Sequence, residues 1–137
     1  MSSEHHRTLP PTAASAGEAR RFVDAVLIAA HLDALSYSAT LMVSELVANA
    51  ILHTTTPVEV VVTVDDTSAR VEVHDGSPQL PVRKHYSTMS GTGRGLMMVD
   101  RMASRWGAEP TPTGKSVWFE VDARSMPLIN FLEADAL

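Results

Sequence analysis

The sequence predicts an α/β fold in which helices accompany a mostly antiparallel sheet. Two apolar helical segments come first, a valine-rich pair of strands follows, and another helix and strand complete the pattern. The short connection between the two valine-rich strands favours antiparallel neighbours, because parallel strands need a long crossover. With 137 residues and 45% hydrophobic content, residues 1–137 suit a single domain with a substantial core.

The first part of the chain predicts two helices. Residues 1–12 are polar and contain prolines, which indicates a flexible segment or an edge strand. Polar and apolar residues then recur at helical spacing from Ala16 to His31. A second helix is predicted from Ser36 to His53, and it ends before Pro57 because proline disfavours a helical residue in front of it.

The middle of the chain predicts a hairpin followed by a loop. Val58 to Val64 and Ala69 to His74 are rich in β-branched residues, and the run Asp65 to Ser68 between them has turn composition. Ser77 to Ser90 contains two prolines and little periodicity, which indicates a surface loop that could cover a ligand.

The last part predicts a helix from Gly95 to Arg105 and a strand from Ser116 to Val121. The proline-rich run Pro110 to Gly114 is read as their connection. The tail from Met126 to Leu137 has the composition of a short amphipathic helix.

Composition and charge exclude several classes of function. The net charge of −5 argues against direct binding of nucleic acid or anionic membranes, which relies on clustered lysine and arginine. The absence of cysteine excludes a disulfide framework, and Met1 to Thr12 lacks the apolar run of a secretory signal, so the cytoplasm is the expected compartment. The apolar stretches Phe22 to Ala30 and Leu41 to Leu52 are too short to span a bilayer, so no membrane association is expected.

A row of polar residues follows the second predicted helix. Glu45, Asn49 and His53 are spaced four residues apart, which places them along one side of the helix. The carboxamide oxygen of Asn49 could ligate Mg²⁺, and the carboxylate of Glu45 could orient or deprotonate an attacking hydroxyl or water. The alternative interpretation is a narrow exposed stripe with a histidine at the helix end.

Asp75 and Gly76 follow the second valine-rich strand directly. A buried carboxylate accepts hydrogen bonds only, so Asp75 would favour the exocyclic amine of adenine over the carbonyl of guanine, and ATP over GTP. The alternative is an ordinary turn, because aspartate, glycine, serine and proline are common turn residues.

Glycines at positions 91, 93 and 95 come just before an apolar helix, where backbone N–H groups can bind phosphate oxygens. The spacing differs from the dinucleotide fingerprint, and Gly114-Lys115-Ser116 lacks the earlier glycine of a P-loop because that position is Glu109. The alternative for the glycines is a flexible linker. The sequence has no G-x-S-x-G motif, no cysteine and no convincing zinc-ligand spacing.

Taken in order, Glu45 to His53, Asp75, Gly93 to Leu96 and Gly114 to Trp118 resemble the GHKL ATPase superfamily, in particular its bacterial anti-sigma-factor serine/threonine-kinase branch. The resemblance extends from about Ala16 to Val121. It implies a two-layer sandwich of helices on a mixed, mostly antiparallel sheet, with ATP and Mg²⁺ bound between the helices and the sheet.

The resemblance also implies roles for individual residues. Glu45 would be the general base and Asn49 would bind Mg²⁺. The residues implied to contact the nucleotide are Asn49, His53, Asp75, Gly76, Gly91, Thr92, Gly93, Arg94, Gly95, Leu96 and Ser116. One motif departs from the usual D-x-G-x-G pattern, since Ser77 and Gln79 replace its glycines.

The implied function is a partner-switching kinase that phosphorylates an anti-sigma-factor antagonist, sequesters a sigma factor, or does both. The altered motif after Asp75 motivates an alternative, a non-catalytic protein-binding module that responds to ATP. The catalytic half of a histidine kinase is disfavoured, because only about 35 residues precede the helix that carries Glu45. A homodimer is compatible with all these functions.

Overall fold

A five-stranded sheet with helices packed on one face forms the protein, which confirms the predicted two-layer α/β fold. The computed structural model describes residues 1–77 and 91–125. The elements in chain order are β1 (Ser3–Leu9), α1 (Ala14–Ala29), a 3₁₀ helix (Asp33–Leu35), α2 (Ser36–His53), β2 (Val58–Val64), β3 (Ser68–Asp75), α3 (Gly91–Met102), β4 (Arg105–Thr111) and β5 (Gly114–Asp122).

The strands lie in the order β1-β2-β3-β5-β4. All pairings between the described strands are antiparallel, so this part of the sheet contains no parallel pair. The β2–β3 hairpin is closed by Asp65, whose Oδ1 accepts hydrogen bonds from the backbone N–H groups of Thr67 and Ser68 at 2.9 and 2.8 Å. The predicted hairpin is therefore confirmed, with a side-chain-stabilised turn between its strands.

The helices cover one face of the sheet and bury its alternate residues. Helix α2 packs between α1 and α3 and contacts β2 and β3. The largest fully buried side chains come from both layers: Leu9, Val23, Leu27, Leu35, Met42, Val43, Val47, Val58, Val60, Val62, Val71 and Phe119. Burial of such a side chain contributes about 1.5–3 kcal/mol, so this interface between the layers is the main source of stability.

Helix α1 ends at Ala29, two residues before the predicted end at His31. His31 has a positive φ of 59°, the left-handed conformation that stops a helix. The N–H of His31 bonds to the carbonyl of Ile28 at 3.0 Å, and the N–H of Leu32 bonds to that of Leu27 at 2.8 Å. This Schellman motif satisfies the last carbonyls and buries Leu32 and Leu27 together.

Helix α2 has the predicted bounds, Ser36–His53. By length and composition alone, the segment Asp33–His53 could also cross a membrane. Its packing between α1, α3 and the sheet accounts for the same apolar composition, because the helix contributes a large share of the core.

The part of the chain from Gly91 to Asp122 differs most from the prediction. Helix α3 runs from Gly91 to Met102, where Gly95 to Arg105 was predicted, and Arg105 begins a strand that the sequence did not predict. That strand, β4, forms one edge of the sheet, where Pro110 is tolerated because one side of an edge strand needs no ladder bonds.

The chain start forms the edge strand β1, one of the two alternatives for residues 1–12. The predicted loop beyond Ser77, including Gln79, and the predicted tail helix from Met126 to Leu137 lie outside the described residues, so both stay predictions.

Candidate functional site

The carboxylate of Asp75 lies buried at the end of β3. Strand alternation places it on the helix-covered face with Val71 and Val73, and its side chain is only 1% exposed. Its Oδ1 accepts a hydrogen bond from the backbone N–H of Ser77 at 2.8 Å, as in the turn that the sequence offered as an alternative. Asp75 is therefore both part of a turn and buried. Its second oxygen, Oδ2, takes no part in the bond to Ser77.

Lys115 is the partner of that second oxygen. It lies opposite Asp75 in the β3–β5 ladder, and its Nζ is 3.3 Å from Asp75 Oδ2. The lysine side chain is 7% exposed, so both charges lie almost entirely away from water. Removing two charges from water is costly, and only their mutual attraction and hydrogen bonds offset that cost.

Three backbone segments meet closely around this pair. Thr56, just after α2, accepts a hydrogen bond from the N–H of Gly76 at 2.9 Å. A Cβ on Gly76 would lie 2.6 Å from Thr56 Oγ1, and a Cβ on Gly114 would lie 1.9 Å from the carbonyl oxygen of Asp75. Glycine is required at both positions by this close approach, which holds the end of β3 against the start of β5.

Glu45 and Asn49 lie on one side of α2 at the margin of its buried stripe. Both are partly buried, and they flank the fully packed Leu46 and Val47. Helix α2 contacts both α3 and β3, so this row lies on the element that joins the other candidate segments. His53, the last residue of α2, is exposed, as the helix-end interpretation expects.

The glycine segment forms the start of α3. Gly91, Gly93 and Gly95 lie within the helix, whereas the sequence placed the first two before it. The first four N–H groups of any helix have no partner inside it. The predicted binding of phosphate oxygens is therefore compatible with this helix end. For Gly91, Thr92, Gly93, Arg94 and Gly95 the structure describes the backbone alone, and Leu96 is buried in the core.

The structure does not bring Ser116, one of the residues implied to contact the nucleotide, together with Asp75. It is the ladder partner of His74, on the sheet face opposite Asp75. Because side chains alternate along a strand, Lys115 takes the position beside Asp75. The inward alternation of Val117, Phe119 and Val121 was a readable sign that Lys115 also points inward.

The donor set fits a magnesium nucleotide better than a protein-bound metal. In the part of the chain that the structure describes, no group of three or more histidine, aspartate or glutamate side chains could hold an ion. Magnesium commonly takes one or two protein oxygens and completes its octahedron with phosphate oxygens and water. Asn49 would supply a protein oxygen, and Asp75 an acceptor for a base amine.

Comparison with known proteins supports the binding of ATP. A family model described as the histidine kinase-like ATPase domain matches residues 9–121, from the end of β1 to β5. The chain matches no curated protein sequence. The matched span includes α2 with Glu45 and Asn49, the buried Asp75 and the start of α3. The chain therefore belongs to the histidine kinase-like ATPase domain family and is an ATP-binding protein of the GHKL type.

Proposed function

We propose that this protein is a serine/threonine kinase of the anti-sigma-factor type, which acts in partner switching. The observation that carries the proposal is the row of Glu45 and Asn49 on α2. This helix contacts both α3, which begins with the glycine-rich segment, and β3, the strand that ends in Asp75. A carboxylate and a carboxamide on one helix face supply a proton acceptor and a magnesium ligand beside one site.

Each residue has a distinct task in this proposal. ATP would supply the phosphoryl group for transfer, and Mg²⁺ would neutralise its charge. Asn49 would hold the magnesium ion, and Asp75 would orient the base. Glu45 accepts the proton of the attacking serine or threonine hydroxyl, which makes that hydroxyl a better nucleophile.

Nucleotide binding is tested by thermal unfolding with Mg-ATP, with Mg-GTP as the comparison. A ligand at about 100 times its dissociation constant adds about 2.7 kcal/mol to the free energy of unfolding. We expect Mg-ATP to raise the Tm by several degrees and Mg-GTP to raise it less. An unchanged Tm with Mg-ATP contradicts nucleotide binding at this site.

Phosphoryl transfer is tested with Glu45→Ala and γ-labelled ATP, using candidate antagonist proteins from the same genome as acceptors. The variant should keep ATP affinity and lose transfer by about a hundredfold or more, because the base acts on the acceptor hydroxyl. Glu18→Ala is the matched control, since Glu18 is an exposed helical glutamate on α1. Undiminished transfer by Glu45→Ala removes Glu45 from the mechanism.

A non-catalytic module that responds to ATP is the second candidate. It is favoured by Ser77, which stands where the motif of the resembling family has glycine. In this case ATP stabilises a surface for a protein partner and no transfer occurs. Affinity for the partner would then depend on nucleotide, while the wild type would phosphorylate none of the candidate acceptors.

The proposed partners are a sigma factor, an anti-sigma-factor antagonist or both, with the cytoplasm as the proposed compartment. Homodimerisation is a further proposal, which sedimentation of the purified chain with and without Mg-ATP would test. Neither nucleic acid nor membrane is part of the proposal, because the net charge of −5 offers little attraction for phosphate backbones or anionic lipid.

A further inference from the structure

Among the described residues, much of the hydrogen-bonding capacity of the Asp75–Lys115 ion pair has no partner. An ammonium group has three donors, yet among the described residues Asp75 Oδ2, at 3.3 Å, is the only polar partner of Lys115 Nζ. The carboxylate can accept about four hydrogen bonds, and the described residues supply two contacts, from Ser77 and Lys115. Buried polar groups with unused capacity are costly and mark a place where a ligand can bind.

The two groups present a donor and an acceptor side by side. The complementary ligand edge therefore carries an acceptor and a donor next to each other. Adenine has this arrangement, because its exocyclic amine stands between two ring nitrogens, N1 and N7, that accept hydrogen bonds. Lys115 is also the more exposed of the two side chains, at 7% against 1% for Asp75.

We propose that Lys115 is a specificity-determining residue that reads the nucleobase together with Asp75. The amine of adenine donates to the carboxylate, and the ring nitrogen beside it accepts from the Lys115 ammonium. The inference rests on ATP binding at this site and adds a second base-reading group to it.

Lys115 also changes the expected discrimination against GTP. A lone carboxylate repels the guanine carbonyl, because both are acceptors. An ammonium beside the carboxylate can donate to that carbonyl while the carboxylate accepts from the neighbouring ring N–H. Lys115→Met should therefore increase the preference for ATP over GTP, although it weakens the binding of both.

The test is a double-mutant cycle in which one change is made in the Lys115 side chain and the other in the nucleotide. Titration calorimetry with Mg²⁺ gives the affinities of the wild type and Lys115→Met for ATP, 1-deaza-ATP and 7-deaza-ATP. We expect Lys115→Met to bind ATP about tenfold or more weakly, as for the loss of a charge-assisted hydrogen bond. One deaza analogue should show a similar loss with the wild type, and no further loss with Lys115→Met.

Arg105→Met is the matched control, since it removes a cation that pairs with Glu120 on the opposite face of the sheet. It should leave the affinities for all these nucleotides unchanged. Methionine at position 115 keeps the length of the lysine stem, and circular dichroism checks that the variant is folded. If it is not folded, Lys115→Gln repeats the cycle with a neutral side chain of similar length.

Three outcomes overturn the inference. Lys115→Met could bind ATP as tightly as the wild type or more tightly, which would show that the ammonium contributes nothing to affinity. Equal penalties for the deaza analogues in both proteins would show that Lys115 contacts neither ring nitrogen. If the wild type binds no ATP, the nucleotide site itself fails, whereas binding without coupling removes Lys115 alone.

Discussion

The two faces of the sheet carry ion pairs of different kinds. On the face without helices, Arg70 lies between two carboxylates, 3.1 Å from Glu72 and 3.0 Å from Glu120, and its guanidinium stacks 4.0 Å from the ring centroid of Trp118. These three ion-pairing side chains are 22–31% exposed and share their partners. Water and alternative partners can therefore compensate for the loss of any one contact.

The helix-covered face carries the buried pair of Asp75 and Lys115. Here neither charge has a second charged partner among the described residues, and neither is more than 7% exposed. The loss of one partner leaves the other charge buried and unpaired. The outer network, formed by Arg70, Glu72 and Glu120 on the face without helices, is therefore replaceable. The inner pair, Asp75 and Lys115, combines a large structural cost with chemistry suited to a ligand.

The largest expected effect comes from breaking the inner pair. Lys115→Met should lower the free energy of unfolding by about 3 kcal/mol, because it leaves the Asp75 carboxylate buried without a counter-charge. Urea denaturation of the nucleotide-free protein measures the loss. Adding Asp75→Asn to this variant should recover most of it, since the amide is neutral. A loss below about 1 kcal/mol for the single variant would make the inner pair equivalent to the outer network.

A smaller effect is expected where the same site is held by a neutral contact. Thr56→Val removes the acceptor for the N–H of Gly76. The free energy of unfolding should fall by about 1 kcal/mol, the usual net value of a hydrogen bond. Thr55→Val, at the exposed neighbouring position, is the control and should change stability by less than about 0.5 kcal/mol. Equal costs for the two variants would show that the bond to Gly76 adds nothing to stability.

On the outer face, the sheet face without helices, Arg70→Ala should lower the free energy of unfolding by at most about 1 kcal/mol. It has this small effect although it removes two ion pairs and the contact with Trp118. About 1 M salt should reduce this cost, because partly exposed charges are screened. The same salt should leave the cost of Lys115→Met nearly unchanged. Denaturation at both salt concentrations compares the two faces directly, and a salt-independent cost for Arg70→Ala would contradict their difference.

The smallest effect concerns His6, which lies on the outer face at the sheet edge. Hydrogen bonds that His6 donates to the carboxylates of Glu59 and then Glu4 raise the pKa of His6 above its ordinary value of 6.5. The folded state therefore binds more protons than the unfolded state just above that pH. The stabilisation is fully present below about pH 6.5 and is lost as the pH rises through the folded pKa.

The pH dependence of Tm for the wild type and His6→Gln between about pH 5.5 and pH 8 tests this effect. Over that range the wild type should lose slightly more stability than His6→Gln as the pH rises. Parallel curves for the two proteins would show that His6 is not linked to folding.

Much of the fold could be predicted from local patterns. Helix α2 and strand β2 have the predicted bounds, because Pro57 separates an apolar helical pattern from a run of β-branched residues. The hairpin of β2 and β3 is also confirmed, with one extra residue at each end of β3. Period and turn chemistry are local properties, so no knowledge of distant residues was needed.

The errors occurred where distant contacts override local preference. Pro110 argues against a strand, yet β4 forms because its partner β5 supplies the ladder at a sheet edge. The glycines of α3 disfavour a helix, yet the helix begins at Gly91, and α3 packs against α2. The early end of α1 has a local cause instead, because the left-handed backbone of His31 allows the capping bonds of His31 and Leu32.

The family, the helix that bears Glu45 and Asn49, and the position of Asp75 at a strand end all follow from motifs and periodicity along the chain. Tertiary structure alone decided that Lys115 lies against Asp75 while Ser116 faces the other way. That choice depends on the register between β3 and β5, strands separated by about 40 residues. A shift of one residue in this register would reverse the face of every side chain, and only the packing of the whole sheet against its helices prevents it.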